Sequence, residues 1–136
     1  MKPGRGAMSR RSAAAVLAAA IAWPRGAVAQ AGPMSMQAIM RILAAIVSEP
    51  GTALTIGQLC LNSLDAAERN PNVLAKEIAQ DSGCLDLRSE QDIRRRISSH
   101  VRHEFAQGIV LNVDGWILSR TEARLYALAA LARATA

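Results

Sequence analysis

Residues 108–131 read GIVLNVDGWILSRTEARLYALAAL, and they specify local structure more completely than any other stretch of the chain. Alternate residues within 109–113 fall into two sets, one wholly apolar and one containing Asn112, which predicts a strand with one face more buried than the other. Asp114-Gly115 is typical of a two-residue type I′ turn, in which both residues take a positive φ. Residues 116–118 then predict the return strand of a short β-hairpin.

A helix is predicted to follow the hairpin directly. Ser119 stands at an N-cap position with Glu122 three residues later, and in such a capping box each side chain accepts a hydrogen bond from a backbone N–H at the helix start. The apolar residues beyond the box share one face: Leu125, Leu128, Ala129 and Ala132. Because a lone hairpin is marginal in water, we expect it to pack on this helix through Trp116 or Ile117 and through Leu125 or Leu128.

Three residues in this stretch are candidates for contact with a partner. We predict that Trp116 is a core anchor covering the C-terminal helix; the alternative is an exposed contact residue of the kind that concentrates binding energy in interfaces. Arg120 and Arg124 lie one turn apart on the predicted helix. They are expected on a solvated face, where they could pair with Glu122 or contact a partner.

The first two upstream helices are predicted from apolar spacing and capping patterns. Helical periodicity predicts a first helix over 35–48, ended by Glu49-Pro50-Gly51. A capping-box pattern that opens at Thr55 predicts the start of a second helix. A similar pattern at Asp65 leaves open whether that helix restarts or continues.

Clearer boundary signals define the next two helices. Asn70-Pro71 reads as an N-cap followed by a proline at the first helical position, and Ser82-Gly83 closes that helix. Ser89 opens a longer helix that runs to about Gln107, with Gly108 as its C-terminal glycine. The predicted fold is therefore mainly α (a small α+β fold), with four to five helices and one short two-stranded β-hairpin before the C-terminal helix.

The positive charge of the chain is concentrated at its N-terminus. The formal net charge is +5, and five of the sixteen basic residues lie in the first 29 positions, where there is no acid. The remainder is electrically balanced, and its one basic run, Arg94–Arg96, is expected on a solvated helix face. Nucleic-acid binding needs a coherent basic patch, often with aromatic residues for stacking, and aromatic residues make up 3% of this chain. We therefore expect no nucleic-acid partner.

Residues 1–29 are predicted to be a cleavable export signal. Arg10-Arg11 supplies a basic segment, residues 13–23 an apolar core too short to span a bilayer, and Ala27-Val28-Ala29 a cleavage site after Ala29. The pair Arg10-Arg11 also resembles the twin-arginine (Tat) motif, although an ordinary Sec signal is the alternative. The sequence thus predicts a periplasmic or secreted protein with a single small domain over 30–136 and no membrane span after cleavage.

Cys60 and Cys84 are the two cysteines of the chain. Because exported proteins meet an oxidising compartment, we predict that these residues form one structural disulfide. Their spacing is not that of a C-x-x-C redox motif, and it is a poor signal for zinc.

The helix predicted over 90–107 carries the residues from which chemistry can be argued. His100 and Glu104 are four residues apart, so they can touch on one face, whereas His103 lies across the border of the apolar stripe. A functional interpretation makes His100 a base or metal ligand and Glu104 its orienting or co-ligating group, with His103 as a further weak metal candidate. A half-buried structural hydrogen bond is the favoured alternative. No catalytic motif of another kind is present, and no cofactor is predicted.

The segment 113–125, VDGWILSRTEARL, together with the twin-arginine-like leader, resembles a group of short bacterial proteins that carry a Tat signal and have no assigned function. The resemblance implies a periplasmic location and brings no catalytic residue with it. In layout alone, the chain is also similar to the small Tat-bearing subunits of periplasmic dehydrogenases, which are helical and escort a larger flavin-bearing subunit.

Three functions are consistent with these patterns. The first is a non-catalytic interaction or escort subunit for a larger periplasmic protein, and it predicts an exposed apolar patch on the domain. The second is a small ligand- or metal-binding protein or enzyme that uses His100 and Glu104. The third is a stand-alone envelope stability protein.

Overall fold

Five helices and one hairpin make up the part of the chain that the computed structural model describes, residues 32–47 and 49–134. The helices are α1 (Met36–Ile46), α2 (Pro50–Asn62), α3 (Pro71–Ser82), α4 (Glu90–Ala106) and α5 (Arg120–Ala134). Strands β1 (Val110–Val113) and β2 (Trp116–Ser119) pair antiparallel between α4 and α5. The predicted mainly α fold, with a hairpin before the C-terminal helix, is confirmed. The predicted leader, including Arg10, Arg11 and Ala29, lies outside the described residues.

The hairpin has the predicted two-residue turn. Val113 pairs with Trp116 across it, and Asp114 and Gly115 have φ values of 52° and 90°. The side chain of Asn112 accepts a hydrogen bond from the Gly115 N–H at 2.8 Å. Positive φ at both turn residues matches the right-handed twist of the strands, so this local prediction is confirmed.

The predicted capping box forms at the start of α5. The hydroxyl of Ser119 accepts a hydrogen bond from the Glu122 N–H at 3.0 Å, and the Glu122 carboxylate accepts one from the Ser119 N–H at 2.9 Å. Asn70 and Ser89 cap α3 and α4 as predicted. Gly83 ends α3 in the left-handed conformation that glycine favours at this position.

The predicted start of the second helix is wrong. Pro50 begins α2 instead of ending the helix before it, and Thr55 lies inside α2, where its hydroxyl donates to the carbonyl of Gly51. Proline is tolerated in the first helical turn because its missing N–H would be unpaired there in any case. The helix ends at Asn62, and the Asp65 pattern forms a single separate turn.

Helix α5 is the centre of the packing. It contacts each of the other four helices and both strands. Small residues let it approach α2 closely, because a Cβ atom added at Gly57 would lie 2.5 Å from the carbonyl oxygen of Tyr126. The fully buried large aliphatic side chains of the core are Ile39, Leu43, Leu74, Ile78, Ile93 and Leu128.

The hairpin packs on the core through different residues from those predicted. Val113 and Leu118 are buried, whereas Trp116 is 51% exposed and Ile117 is 56% exposed. Trp116 directly follows the turn, at the free end of a hairpin whose strands are four residues long, so the helices do not cover it. The expected role of Trp116 as a core anchor is therefore wrong, although Leu125 and Leu128 on α5 are buried as expected.

In the described ranges, no single helix is long and apolar enough to cross a membrane. One helix pair, Met36–Ile46 with Gly51–Asn62, meets the length and composition criterion together, but the pair is bent by 115°.

Candidate functional site

Glu104 lies at the junction of α4, the hairpin and α5. Its side chain is 1% exposed, and its two carboxylate oxygens accept hydrogen bonds from the Thr121 N–H at 2.8 Å and the Thr121 hydroxyl at 3.0 Å. Thr121 is in the first turn of α5, where backbone N–H groups are unpaired and the helix dipole favours a negative charge. The carboxylate therefore satisfies the start of α5 from the end of a different helix.

The backbone of Glu104 holds the other end of the hairpin. Its carbonyl oxygen accepts a hydrogen bond from the Ile109 N–H at 2.9 Å, and the Ile109 carbonyl accepts one from Arg120 N at 3.3 Å. Glu104 is thus bonded both to the residue that precedes β1 and to the first turn after β2. This arrangement fixes the base of the hairpin against the helices.

His100 and Glu104 are brought together as their spacing predicts. The His100 Nε2 and Glu104 Oε1 atoms lie 3.4 Å apart, and Arg120 Nε is 3.7 Å from the same oxygen. Nε2 is buried but makes no hydrogen bond within the described residues. Both carboxylate oxygens of Glu104 already accept hydrogen bonds from Thr121. The geometry therefore favours a structural role for the His100–Glu104 pair over a catalytic one.

The weak metal candidates do not form a ligand set. His103 is exposed on α4, apart from the buried His100–Glu104 pair. Among the residues that the structure describes, no group of three or more histidine, cysteine and acidic side chains is placed to hold a metal ion.

The predicted disulfide between Cys60 and Cys84 is wrong in this structure, which has two buried free thiols. The residues have different surroundings: Cys60 faces the core from α2 near Tyr126, whereas Cys84 follows α3 and its sulfur accepts a hydrogen bond from Ser82 at 3.1 Å. Burial raises the pKa of Cys60 to about 11. Burial also raises the pKa of Cys84, an effect that Ser82 and Arg96 partly oppose. Both thiols are therefore protonated at neutral pH.

The two candidate contact arginines differ in exposure. Arg124 is 16% exposed and pairs with Asp81 at 2.6 Å and Glu77 at 3.6 Å, so it joins α5 to α3. It is neither on the expected solvated face nor exposed for a partner. Arg120 remains 45% exposed beside the base of the hairpin, and it is the one of the two that a partner could reach.

The hairpin exposes apolar side chains on both of its faces, which we together call the hairpin surface. These residues are 36–56% exposed: Ile109, Val110, Leu111, Trp116 and Ile117. Phe105, in the last turn of α4 just before them, is also exposed. The one charged residue between 109 and 119 is Asp114 in the turn. Periodicity did not identify this surface, because it could not show which apolar residues of the hairpin the helices cover.

A cleft of about 430 Å³ lies between the end of α1, the start of α2, α4 and α5. Its walls include Val101 and Leu125, and Tyr126 lines it as well. The pKa of Tyr126 is raised by burial and, to a smaller extent, by Glu122, Cys60 and Glu49. Glu122 belongs to the capping box, so the fold already uses that group. The sequence carried no signal for this cleft, because its lining residues come from four separate helices.

Comparison of the chain with protein-family models, with curated proteins and with solved structures finds no match.

Proposed function

We propose that this chain is an exported, non-catalytic interaction protein whose hairpin surface docks on a larger periplasmic protein. The observation that carries the proposal is the exposure of Trp116 and Ile117 at the free end of a hairpin fixed at its base. Tryptophan is enriched among the residues that dominate binding energy at interfaces. Contiguous exposed apolar patches larger than a few hundred Å² commonly mark interaction sites.

The rigid base of the hairpin supports the proposal. A surface loses less conformational entropy on binding when it is already ordered. The bonds from Glu104 to Ile109 and Thr121 order the two ends of the hairpin, and burial of Val113 and Leu118 fixes one of its faces. In this proposal, Glu104 of α4 holds the hairpin in position for docking and takes no part in a reaction.

The location and the class of partner rest on the sequence of residues 1–29. A twin-arginine-like leader suggests export of a folded protein, either with its own cofactor or together with a partner that carries one. The chain has no recognised cofactor motif, so we propose the second arrangement, with a redox enzyme as the favoured class of partner.

The proposal is tested by capture from the native host. A C-terminally tagged chain is expressed there and recovered from the periplasmic fraction, and the intact masses of the eluted species are measured. We expect a chain that begins at Gln30 together with a larger protein in stoichiometric amount. Recovery of the chain alone would refute the docking function, and recovery only from the cytoplasm would refute export.

A matched leader variant separates the two export routes. Arg10→Lys with Arg11→Lys keeps the charge of the leader but changes the twin-arginine pair. Loss of the periplasmic form would support Tat export, whereas unchanged export would indicate the Sec route and leave the docking proposal standing.

A further inference from the structure

The outer edge of β1 has backbone groups that are open for pairing with another strand. The hydrogen bond from Arg120 N to the Ile109 carbonyl, with Val110 opposite Ser119 in the strand register, places 109 and 120 at a hydrogen-bonding position of the ladder. Such pairs alternate along an antiparallel ladder, so the backbone groups of Leu111 also face β2, whereas those of Val110 and Asn112 face outward. In the described part of the chain, β1 pairs with β2 alone, so no strand covers its outer edge.

The other edge of the hairpin is less available. The outward N–H of Ser119 on β2 is already bonded to Glu122 in the capping box, and α5 begins at the next residue. By contrast, 109–113 has no lysine, proline or charged residue, which are the features that usually protect an exposed edge from pairing. The Asn112 side chain is bonded to Gly115, so it is held within its own hairpin.

We propose that two copies of this chain associate through β1, antiparallel, with Leu111 of each copy at the two-fold axis. Val110 of one copy then lies opposite Asn112 of the other, and the two pairs exchange four backbone hydrogen bonds. The result is a four-stranded intermolecular sheet, which is more stable than an isolated hairpin. This inference goes beyond the proposed function, because it concerns the backbone edge of β1, although Val110 and Leu111 also belong to the hairpin surface.

Edge pairing covers a small apolar area, because the side chains of β2 lie one strand away from the new seam. The apolar residues closest to that seam are 36–44% exposed: Ile109, Val110, Leu111 and the neighbouring Phe105. Specific interfaces at the lower end of the usual range bury about 600 Å² per partner. Edge pairing adds backbone area to the apolar part, and the neutral strand brings no like charges together, so we expect a weak, reversible dimer.

Cysteine crosslinking tests the register. Opposite Cα atoms in a non-hydrogen-bonded antiparallel pair are about 4.5 Å apart, within the range that a disulfide can bridge. The full chain carrying Leu111→Cys should therefore form a covalent dimer with oxidised glutathione. The matched control is Ile117→Cys, which lies on β2, roughly 14 Å from its copy across three strand spacings, and should remain uncrosslinked. Cys60 and Cys84 are buried and should not compete.

Sedimentation equilibrium of the unmodified full chain gives an independent readout. We expect an average mass that rises from monomer toward dimer with concentration, and a loss of this rise in Leu111→Lys but not in Ile117→Lys. A monomer at every concentration, or crosslinking of Ile117→Cys as readily as Leu111→Cys, would overturn the proposed dimer. Capture of a larger partner by a monomeric chain would leave the proposed function intact, so the two failures are distinguishable.

Discussion

Replacement of Gly57 by alanine tests the closest helix contact of the fold. The added Cβ would lie 2.5 Å from the carbonyl oxygen of Tyr126 and 2.9 Å from the Ala130 Cβ. Ordinary van der Waals contact begins at 3.4 Å, so α2 and α5 must move apart by roughly 1 Å in an interior that is packed like a crystal. Neither obstacle can rotate away, because one is backbone and the other is a methyl group fixed to the backbone.

The size of the effect follows from two opposing terms. Overpacking of a close contact lowers the free energy of unfolding by about 1–3 kcal/mol. The higher helix propensity of alanine raises it by at most about 1 kcal/mol. We therefore expect the free energy of unfolding to fall by about 1–2 kcal/mol. In a domain of this size, each kcal/mol lowers Tm by about 4–8 °C, so Gly57→Ala should lower Tm by roughly 5–15 °C.

Thermal unfolding followed by circular dichroism measures this change. Gly51→Ala is the matched control, because Gly51 is in the same helix and an added Cβ would have no neighbour within 4 Å. That variant should keep or raise Tm, since it changes helix propensity without a clash. A Gly57→Ala protein as stable as Gly51→Ala would refute the close approach of α2 and α5.

Three further predictions follow from the buried polar and ionisable groups. Glu104→Ala should lower the free energy of unfolding by about 3 kcal/mol, because it leaves the Thr121 N–H and hydroxyl unpaired. A double-mutant cycle with Thr121→Val, measured by urea unfolding, checks this. Additive losses in the cycle would show that Glu104 and Thr121 do not interact. Burial raises the pKa of Cys60 from 9.0 to about 11, so the unfolded chain ionises first and stability should fall by roughly 2 kcal/mol as pH rises from 9 to 11. This slope, measured by urea unfolding, should be shallower in Cys60→Ala. Iodoacetamide at neutral pH should label neither thiol in the native protein and both after denaturation, as read by intact mass; a native protein two mass units light would instead reveal a disulfide.

Local signals in the sequence predicted the boundaries of most elements. The capping box at Ser119, the Asp114-Gly115 turn and the cap at Asn70 depend on a few adjacent residues, so their geometry can be read without knowing the rest of the fold. Pro50 is the exception, because a proline can end one helix or begin the next. The choice depends on which residues the core needs, and the burial of Ala53 and Ile56 places that turn within α2.

The candidate site was predictable where it depended on one helix and unpredictable where it depended on several. Helical spacing predicted the contact between His100 and Glu104, and the structure places them 3.4 Å apart. The partner of Glu104, however, is Thr121, seventeen residues later. The pairing of Arg124 with Asp81 and the separate surroundings of the cysteines are also tertiary features, which composition and spacing do not determine.

The exposure of Trp116 is the most consequential difference between expectation and structure. The sequence presented an apolar hairpin, and burial of its largest side chain was the simplest way to stabilise it. Val113 and Leu118 provide that burial instead, which leaves the tryptophan outside. The expectation of an exposed apolar patch thus acquires named residues that can be changed and tested.

The proposed docking role is tested most directly by asking whether the hairpin surface carries the binding of any partner that the proposed capture recovers. Trp116→Ala with Ile117→Ser is compared with a control pair, Leu54→Ser with Leu85→Ser, which alters exposed apolar residues on other parts of the domain. We predict that the hairpin variant keeps its circular dichroism spectrum and Tm but loses affinity at least about tenfold, equivalent to 1.4 kcal/mol, while the control pair binds as the unmodified chain does. Equal binding by the folded hairpin variant would contradict the proposed docking role of the hairpin surface.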